Sequence, residues 1–396
     1  MEKAPTEITI YSTVWCPDCK RAKRFFAEHR IPYITVDIEQ DAQGMALVEQ
    51  ANRGLHVIPT IVFPDGSILS EPSNAQLASK LGFNMKAQQD TYDVIVIGAG
   101  PTGLTAAFYL AREGYDVLVI EKSGLGGQVG ITQVLDNFPG FPEGVSGGEF
   151  SDRLVEQARR FGVEILQAQE VTGLHLDGAY HCVNTADGTE YLARAVLLAT
   201  GAHYSRLGVP GEDELIGSSI HFCATCDGAF YKGMQVLVVG GGNSGFEEGL
   251  FLTKFASRVD IVVHSARVKA SQILQEKVRE KDNMRVILNH AIKEFKGSPK
   301  LESILVEDRA SCEVEEWHYD GVFVFIGVAP NSALLKDKAT LDAGGFLVTD
   351  PTLMTSIPGL FAAGDVRAGS TKQAASAAGE GATAALMIRD YLRRSV

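Results

Sequence analysis

The spacing of apolar residues changes period several times within the first 84 positions. ITIYS, from Ile8, alternates β-branched or aromatic residues with polar ones, as a half-buried strand does. KRAKRFFAEH then sets Ala22, Phe25 and Phe26 at helical spacing. YITVDI predicts a second strand and MALVEQANRG a helix closed by Gly54. HVIPTIVFPDGSIL predicts a hairpin turning at Pro64-Asp65-Gly66, and AQLASKLG a short closing helix. The order β-α-β-α-β-β-α predicts a small α/β domain. Residues of about 83–91 (FNMKAQQDT) are polar with weak periodicity and predict a linker, whose reach over about nine residues would be about 15–18 Å if flexible.

From Thr91 the apolar runs lengthen and lose their alternation, as strands covered on both faces do. TYDVIVIGAGPTGLTAAFYLAREG predicts a buried strand, a glycine turn and a helix. MQVLVVGGGNSGFEEGLFLTKFA repeats that order about 140 residues later. Near the C-terminus, GLFAAGDVRAGSTKQAASAAGEGATAA ends an apolar segment at Gly364-Asp365 and predicts a helix of small residues from about Lys372.

Composition narrows this picture. A chain of 396 residues suits two or three domains. Hydrophobic residues at 45% and charged ones at 21% exclude a disordered chain or a fibre. The 41 glycines have no three-residue period, which excludes collagen, and they punctuate the nucleotide-loop segments. Lys and Arg number 36 against 49 Asp and Glu, a net charge of −13 that argues against nucleic acid and anionic membranes as partners. Of that charge, −2 falls on residues 1–84 and −11 on the remainder. No apolar run approaches the roughly 18 residues of a membrane span. MEKAPTEITIYST lacks the apolar core of a signal peptide, so a cytoplasmic location is expected.

Each glycine loop carries a chemical expectation. In Gly98-Ala99-Gly100-Pro101-Thr102-Gly103 the first glycine permits the tight turn, the second lets a pyrophosphate approach, and the third lets helix and strand pack closely. The helix N-terminus then faces the phosphates with unpaired N–H groups. The next strand ends at Glu121, about 20 residues on, where a carboxylate can accept from a ribose diol. Gly240-Gly241-Gly242-Asn243-Ser244-Gly245 repeats these mechanics, but Val263, followed by His264 and Ser265, stands where the acid would be. Asp365 can contact a ribityl hydroxyl, and the following helix N-terminus can face an isoalloxazine carbonyl.

Four of the six cysteines form two C-x-x-C pairs, Cys16–Cys19 and Cys223–Cys226. They are too far apart in sequence for the usual four-cysteine zinc spacing, and no metal is expected. Redox chemistry is favoured. Cys16 sits between a strand and a helix, where the dipole and nearby Lys20 and Arg21 favour thiolate; Cys19 can resolve a mixed disulfide. Pro59 is a candidate cis-proline beside that pair. Asp227 offers a proton donor next to the second pair. Cys182, Cys312 and His221 read as structural.

These motifs together carry a family resemblance. Residues 92–396 resemble the bacterial low-molecular-weight thioredoxin reductases over essentially their whole length. The matching stretches are GAGPTGLTAA, Gly126-Gly127-Gln128, NFPGFPEG at 137–144, ATGAHYSRLGVPGE at 199–212, CATCDG, GGGNSG and GLFAAGDVR. Residues 6–82 resemble glutaredoxins, especially mycoredoxin-like members, through YSTVWCPDCKRAK, VIPTIVFPDG and SEPSNAQLASKLG. The glutathione-binding GG-x-D-D stretch is absent.

The resemblance implies an α/β chain: a thioredoxin-fold domain, then two Rossmann-like three-layer nucleotide-binding domains, the second inserted in the first. The expected division is 1–84 glutaredoxin-like, 85–91 linker, 92–205 and 326–396 FAD-binding, and 206–325 NAD(P)H-binding with the redox disulfide. By resemblance, FAD meets Gly98, Gly100, Pro101, Thr102, Gly103, Glu121, Gln128, Asn137, Val171, Thr200, Gly201, Gly364, Asp365, Lys372, Gln373 and Ala374. NADPH or NADH meets Gly240, Gly242, Asn243, Ser244, Gly245, His264 and Lys269. Cys226 faces the flavin, Cys223 attacks the outgoing disulfide, and Asp227 is the acid.

NADPH-preferring members usually carry H-R-R-x-x-x-R after the second nucleotide strand, whose arginines hold the 2′-phosphate. Here that stretch reads Val263-His264-Ser265 and then Lys269. GGGNSG and KASQILQEKV are closer to the flavoprotein subunit of alkyl hydroperoxide reductase, which uses NADH. His264, Arg267 and Lys269 remain candidate phosphate ligands, so both nucleotides stay open. The expected function is a relay from NAD(P)H through FAD and Cys223–Cys226 to Cys16–Cys19, and on to a thioredoxin-like, peroxiredoxin or low-molecular-weight disulfide. A homodimer is expected. The alternatives are an NADH-dependent reductase of a peroxiredoxin and a flavin redox sensor without turnover.

Overall fold

The computed structural model describes residues 7–13, 16–132, 134, 135 and 137–394, and only the backbone of Pro17, Ile131, Thr225 and Cys226. Its N-terminal sheet has the strand order Tyr33–Asp37, Ile8–Ser12, Thr60–Val62, Ile68–Ser70. The first pair is parallel and the others antiparallel, the thioredoxin-fold arrangement. Phe25, Phe26, Ile10, Ile61 and Leu77 form its core, so the predicted helical stripe packs on the predicted strands. The second helix differs in its ending. It stops at Ala51 with Asn52 as cap, and Gly54, at φ +86°, lies beyond it.

A seven-stranded sheet follows, with Thr91–Ile97 between Val117–Ile120 and Glu190–Leu198. Val94 and Val96 point into one apolar cluster, and Ile95 and Ile97 into another on the opposite face. That two-sided burial is the physical source of the unbroken DVIVI run. The chain then leaves the sheet through Ala202–Tyr204 and builds a five-stranded parallel sheet. Its order is Ile220–His221, Gly321–Val324, Gln235–Val239, Arg258–Val263, Met284–Leu288. It returns through Val328–Pro330, which pairs antiparallel with Ala202–Tyr204, and re-enters the first sheet at Leu360–Ala362 beside Glu190–Leu198.

The segment expected to be a free linker is tied down. The Asn84 carbonyl accepts from the Gln167 amide (2.8 Å), Gln169 Nε2 donates to the Met85 carbonyl (3.0 Å), and the Gln88 amide donates to Glu164 (2.9 Å). These backbone groups lie over strand edges of the larger part, so they find partners there instead of water. Among the described residues no helix is long and apolar enough to cross a membrane.

The helix Pro17–Glu28 also docks by its far end. Just beyond that end, Arg30 donates to the carbonyls of Gly148 (2.9 Å) and Leu125 (3.3 Å) and pairs with Asp152 (2.8 Å). A Cβ at Gly124 would overlap the Glu28 carbonyl oxygen, so contact this close requires glycine there. Cys16 lies at the other end, 12 helical residues away, or about 18 Å. Arg30→Ala removes one charge-assisted contact set worth about 1–2 kcal/mol. Hydrogen exchange should then speed up roughly tenfold around residues 28–31 and 148–152, with the seven-stranded sheet unaffected. Unchanged exchange at both segments would show that Arg30 does not hold them together.

Candidate active site

The two glycine loops are built alike. Gly98 has φ +108°, and a Cβ there would overlap the Ala199 carbonyl oxygen. A Cβ at Gly103 would overlap the Gly98 carbonyl oxygen. Gly240, at φ +143°, and Gly245 meet the Phe325 and Gly240 carbonyl oxygens in the same way. The middle glycines differ, because a Cβ on Gly100 or Gly242 would meet nothing within 4 Å. These glycines are also the N-caps of Pro101–Arg112 and Asn243–Leu252, and neither cap has a side-chain hydrogen bond. Each loop therefore leaves open space in front of a helix N-terminus, the shape and charge that a pyrophosphate requires. The residues fit two dinucleotides.

Around the first loop, Glu121 Oε2 accepts from the Ala99 amide (2.7 Å), and Oε1 accepts from Ser123 (2.8 Å). The carboxylate thus braces the loop it was expected to serve. Thr102 is buried, and a Cβ at Gly364 or Gly381 would overlap it, so Thr102 packs between two C-terminal segments; Pro101, buried beside it, is the first residue of the helix Pro101–Arg112. Thr200 and Gly201 are pinned by Asn331, whose Nδ2 donates to the Thr200 carbonyl (2.7 Å). The Gly201 carbonyl accepts from the Asn331 amide (3.0 Å). Asn137 Nδ2 donates to Gln373 Oε1 at 3.1 Å, which brings together two residues 236 positions apart. Gln128 is exposed in the turn Gly127–Ile131, and Val171 opens the strand Val171–Asp177.

Asp365 accepts from Ser370 (3.1 Å), and burial pushes its carboxyl above the usual range. Its loop is fixed by Glu380, which accepts from the Gly364 amide (2.8 Å) and pairs with Arg367 (2.7 Å). The helix expected from Lys372 begins at Ala374 instead. Lys372 has φ +55°, outside the helical region, and its ammonium lies 4.1 Å from the centre of the Phe346 ring. Asn331 and Glu380 were not singled out from the sequence because no short motif marks a residue that acts on a loop elsewhere in the chain; Arg367 lies in the GLFAAGDVR stretch, but only the fold shows that Glu380 is its partner.

At the second loop, Asn243 Oδ1 accepts from the Ser271 amide (2.8 Å), and Ser244 is exposed. Val263 lies under the turn, where a Cβ on Gly241 would collide with it. His264 is exposed, and the Lys269 amide donates to the Gly241 carbonyl (2.8 Å). Arg309, 45 residues away, donates to the His264 carbonyl (2.8 Å). It brings a cation to this loop that sequence spacing could not reveal.

Cys16 caps the helix Pro17–Glu28, and its sulfur accepts from the Cys19 amide at 3.2 Å. Cys19 is fully buried and is pushed up to about 12, by burial first and by the Cys16 sulfur second. The Ile58–Pro59 peptide is cis, as expected. Arg21 is not free to serve Cys16. It pairs with Asp18 (3.2 Å) and donates to Asn74 (3.0 Å).

In the other pair Cys223 is half-buried and disulfide-bonded. The side chain of Cys226 lies outside the described residues. Asp227 is buried, and its amide donates to the Cys223 carbonyl at 3.2 Å. His221, read from sequence as structural, stands 3.3 Å from the Asp227 carboxylate. Cys182 is buried, which pushes its thiol up, and Cys312 is exposed.

Gly100→Ala and Gly242→Ala add a methyl group that nothing in the protein opposes. Both variants should fold. The first should lose FAD affinity by roughly tenfold or more, read as released flavin, and the second should do the same for the nicotinamide nucleotide alone. Retention of FAD by Gly100→Ala at parental affinity would refute the cradle.

The sequence profile of the family described as pyridine nucleotide-disulphide oxidoreductase matches residues 92–381, and that of glutaredoxin matches residues 8–68. The thioredoxin reductase of Bacillus subtilis (strain 168) is 40% identical over 309 residues, covering 77% of this chain and 96% of its own. The bifunctional thioredoxin reductase/thioredoxin of Mycobacterium leprae (strain TN) is 41% identical over 307 residues, covering 77% of this chain and 67% of its own. The solved thioredoxin reductase of Streptococcus pyogenes MGAS5005 is 38% identical, covers 77% of this chain and 99% of its own, and superposes with a TM-score of 0.74. Proteins of this kind use FAD and NADPH. The chain belongs to the pyridine nucleotide-disulphide oxidoreductase family, and it is a thioredoxin-reductase-type flavin disulfide reductase that carries a glutaredoxin domain.

Proposed function

We propose that the chain is a self-contained electron relay, in which the Cys223–Cys226 pair reduces the Cys16–Cys19 disulfide and the latter reduces an external disulfide. One observation carries this reading. A second dithiol site, with one sulfur at a helix N-terminus and its partner fully buried, is built into the same chain as the reductase. When bound, the flavin and nicotinamide nucleotide supply the two electrons that open the Cys223 disulfide.

The remaining steps belong to the protein's own groups. Cys223 gives up its thiol proton as its sulfur attacks that of Cys16, the less buried of its pair, and Cys19 leaves with the electron pair and takes up a proton. Cys226 then attacks the Cys223 sulfur, closing that disulfide and releasing Cys16. Two electrons and two protons have moved from one pair to the other. With typical potentials of about −270 mV for thioredoxin-like and about −215 mV for glutaredoxin-like pairs, transfer is downhill by about 2.5 kcal/mol. Tethering raises the local concentration of one pair near the other into the millimolar range, about as short linkers do. Because Arg30 docks the opposite end of the Cys16 helix, the encounter calls for a rotation of one unit against the other.

A thioredoxin-like protein is the acceptor this reading favours. Absence of the paired arginines at His264 and Ser265 favours a second reading, in which NADH is the donor and a peroxiredoxin the acceptor. Turnover with NADH against NADPH, over thioredoxin, glutathione and peroxiredoxin disulfides, separates the two.

Replacing Cys16 and Cys19 by Ser should lower reduction of the external disulfide by about tenfold or more while flavin bleaching by the nucleotide persists. Continued reduction at the parental rate would end the relay. In the reduced protein, iodoacetamide at neutral pH should label Cys16, whereas Cys19 should resist until the pH nears the value of about 12 to which burial raises it.

A further inference from the structure

A buried line of hydrogen-bonding groups stands beside the second cysteine pair. His221 ends the strand Ile220–His221, two residues before Cys223, and is 6% exposed. Its ring rests against Phe323 and Tyr231, with centroids 5.2 and 5.4 Å away. Nε2 lies 2.8 Å from the Tyr231 hydroxyl, and Nδ1 lies 3.3 Å from Asp227 Oδ2. Tyr231 closes the turn Gly228–Tyr231 that directly follows Asp227. It fits only because residue 321 is glycine, since a Cβ there would overlap its ring.

Elementary chemistry gives this line a direction. A carboxylate only accepts, so Nδ1 carries the hydrogen that faces Asp227. In the neutral ring Nε2 must then accept, and the Tyr231 hydroxyl donates to it. Burial pushes the Tyr231 phenol up, which keeps it a donor. Other titratable groups face the line from the elements packed around it. The Tyr204 phenol and Tyr231 feel the Asp227 charge, Asp320 acts on Tyr231, and Glu248 accepts from the Ala224 amide. None of these replaces His221 as the contact on Oδ2.

We propose that His221 is the positioning residue for Asp227: it orients the carboxyl and shares with it the proton that passes between the attacking and leaving sulfurs. This rests on the reading of Asp227 as the acid of the cysteine exchange. In the step, the Cys223 thiol gives its proton to the Asp227–His221 pair as its sulfur bonds to the acceptor. The acceptor S–S bond breaks, the expelled sulfur carries away the electron pair, and the pair returns the proton to it. No proton or electron is left over.

The nature of the leaving thiol makes a test. An aliphatic thiolate leaves poorly without a proton, whereas a nitrobenzoate thiolate leaves readily without one. The full-length, FAD-loaded protein with Cys16→Ser, Cys19→Ser and Cys312→Ser would be driven by NADPH. Its acceptors would be di(hydroxyethyl) disulfide and an aromatic disulfide with nitrobenzoate leaving groups. His221→Phe, which keeps a ring against Phe323, and Asp227→Asn should each lower aliphatic turnover by about tenfold or more and aromatic turnover by less than about threefold. His221→Asn, which keeps a donor toward Asp227, should recover most of the loss. The double replacement should be no slower than Asp227→Asn, because the two act as one unit.

Equal slowing of both acceptors by His221→Phe, or no slowing, overturns the proposal when Asp227→Asn discriminates between them. If Asp227→Asn does not discriminate, the reading of Asp227 itself fails. Should His221→Phe not load flavin, Tyr231→Phe removes only the hydroxyl on Nε2. It is expected to discriminate by about threefold in the same direction, and its failure to do so would count equally against the proposal.

Discussion

Close backbone approach at the glycine loops is the constraint on which the rest of this molecule depends. Helix and strand can meet at Gly103 and Gly98, and again at Gly245 and Gly240, only because no Cβ stands between them. That approach puts two sets of unpaired N–H groups at the ends of parallel strands, one in the mixed seven-stranded sheet and one in the parallel five-stranded sheet. Everything downstream is arranged around those two points. The C-terminal loop at Gly364 presses on Thr102, the strand pair Ala202–Tyr204 and Val328–Pro330 spans the connection, and Glu121 holds the first loop from below.

The two cysteine pairs divide their labour by burial rather than by sequence. In the N-terminal pair one sulfur receives an amide hydrogen bond at a helix end, and its partner is fully enclosed, held neutral by lack of solvent. In the relay proposed above, that difference would give attack to Cys16 and resolution to Cys19. The second pair lies beside a carboxylate that is itself buried and held by an imidazole. A buried polar group of this kind is costly unless partnered; the partner comes from the strand Ile220–His221, and the next turn supplies Tyr231 to that partner in turn. The same packing that relieves this cost can also direct a proton.

The junction between the small and large parts shows how much a polar connector can be misread. Residues 85–91 have the composition of a tether, and composition says nothing about which strand edges lie within reach. Here Glu164, Gln167 and Gln169 supply partners, and Arg30 with Gly124 closes a further contact. The N-terminal unit is therefore held in one pose by a few polar contacts. Such contacts are individually weak enough to exchange for others.

By itself the sequence determined the α/β class, the two nucleotide loops, the cysteine pairs and the small N-terminal unit. Each rests on local chemistry: glycine at fixed offsets, an unbroken apolar run for a strand covered on both faces, sulfur at a helix start. The tertiary structure alone decided what depends on residues far apart in the chain. It placed Asn331 on Thr200, Glu380 on the Asp365 loop, Arg309 on His264, and His221 between Asp227 and Tyr231. It also moved the start of the last helix to Ala374, because Lys372 adopts a left-handed backbone that no propensity announces. His221 makes the difference plain. One histidine near a cysteine has no spacing to interpret, and its role rests on an acceptor, a donor and a missing side chain at Gly321, which only folding brings together.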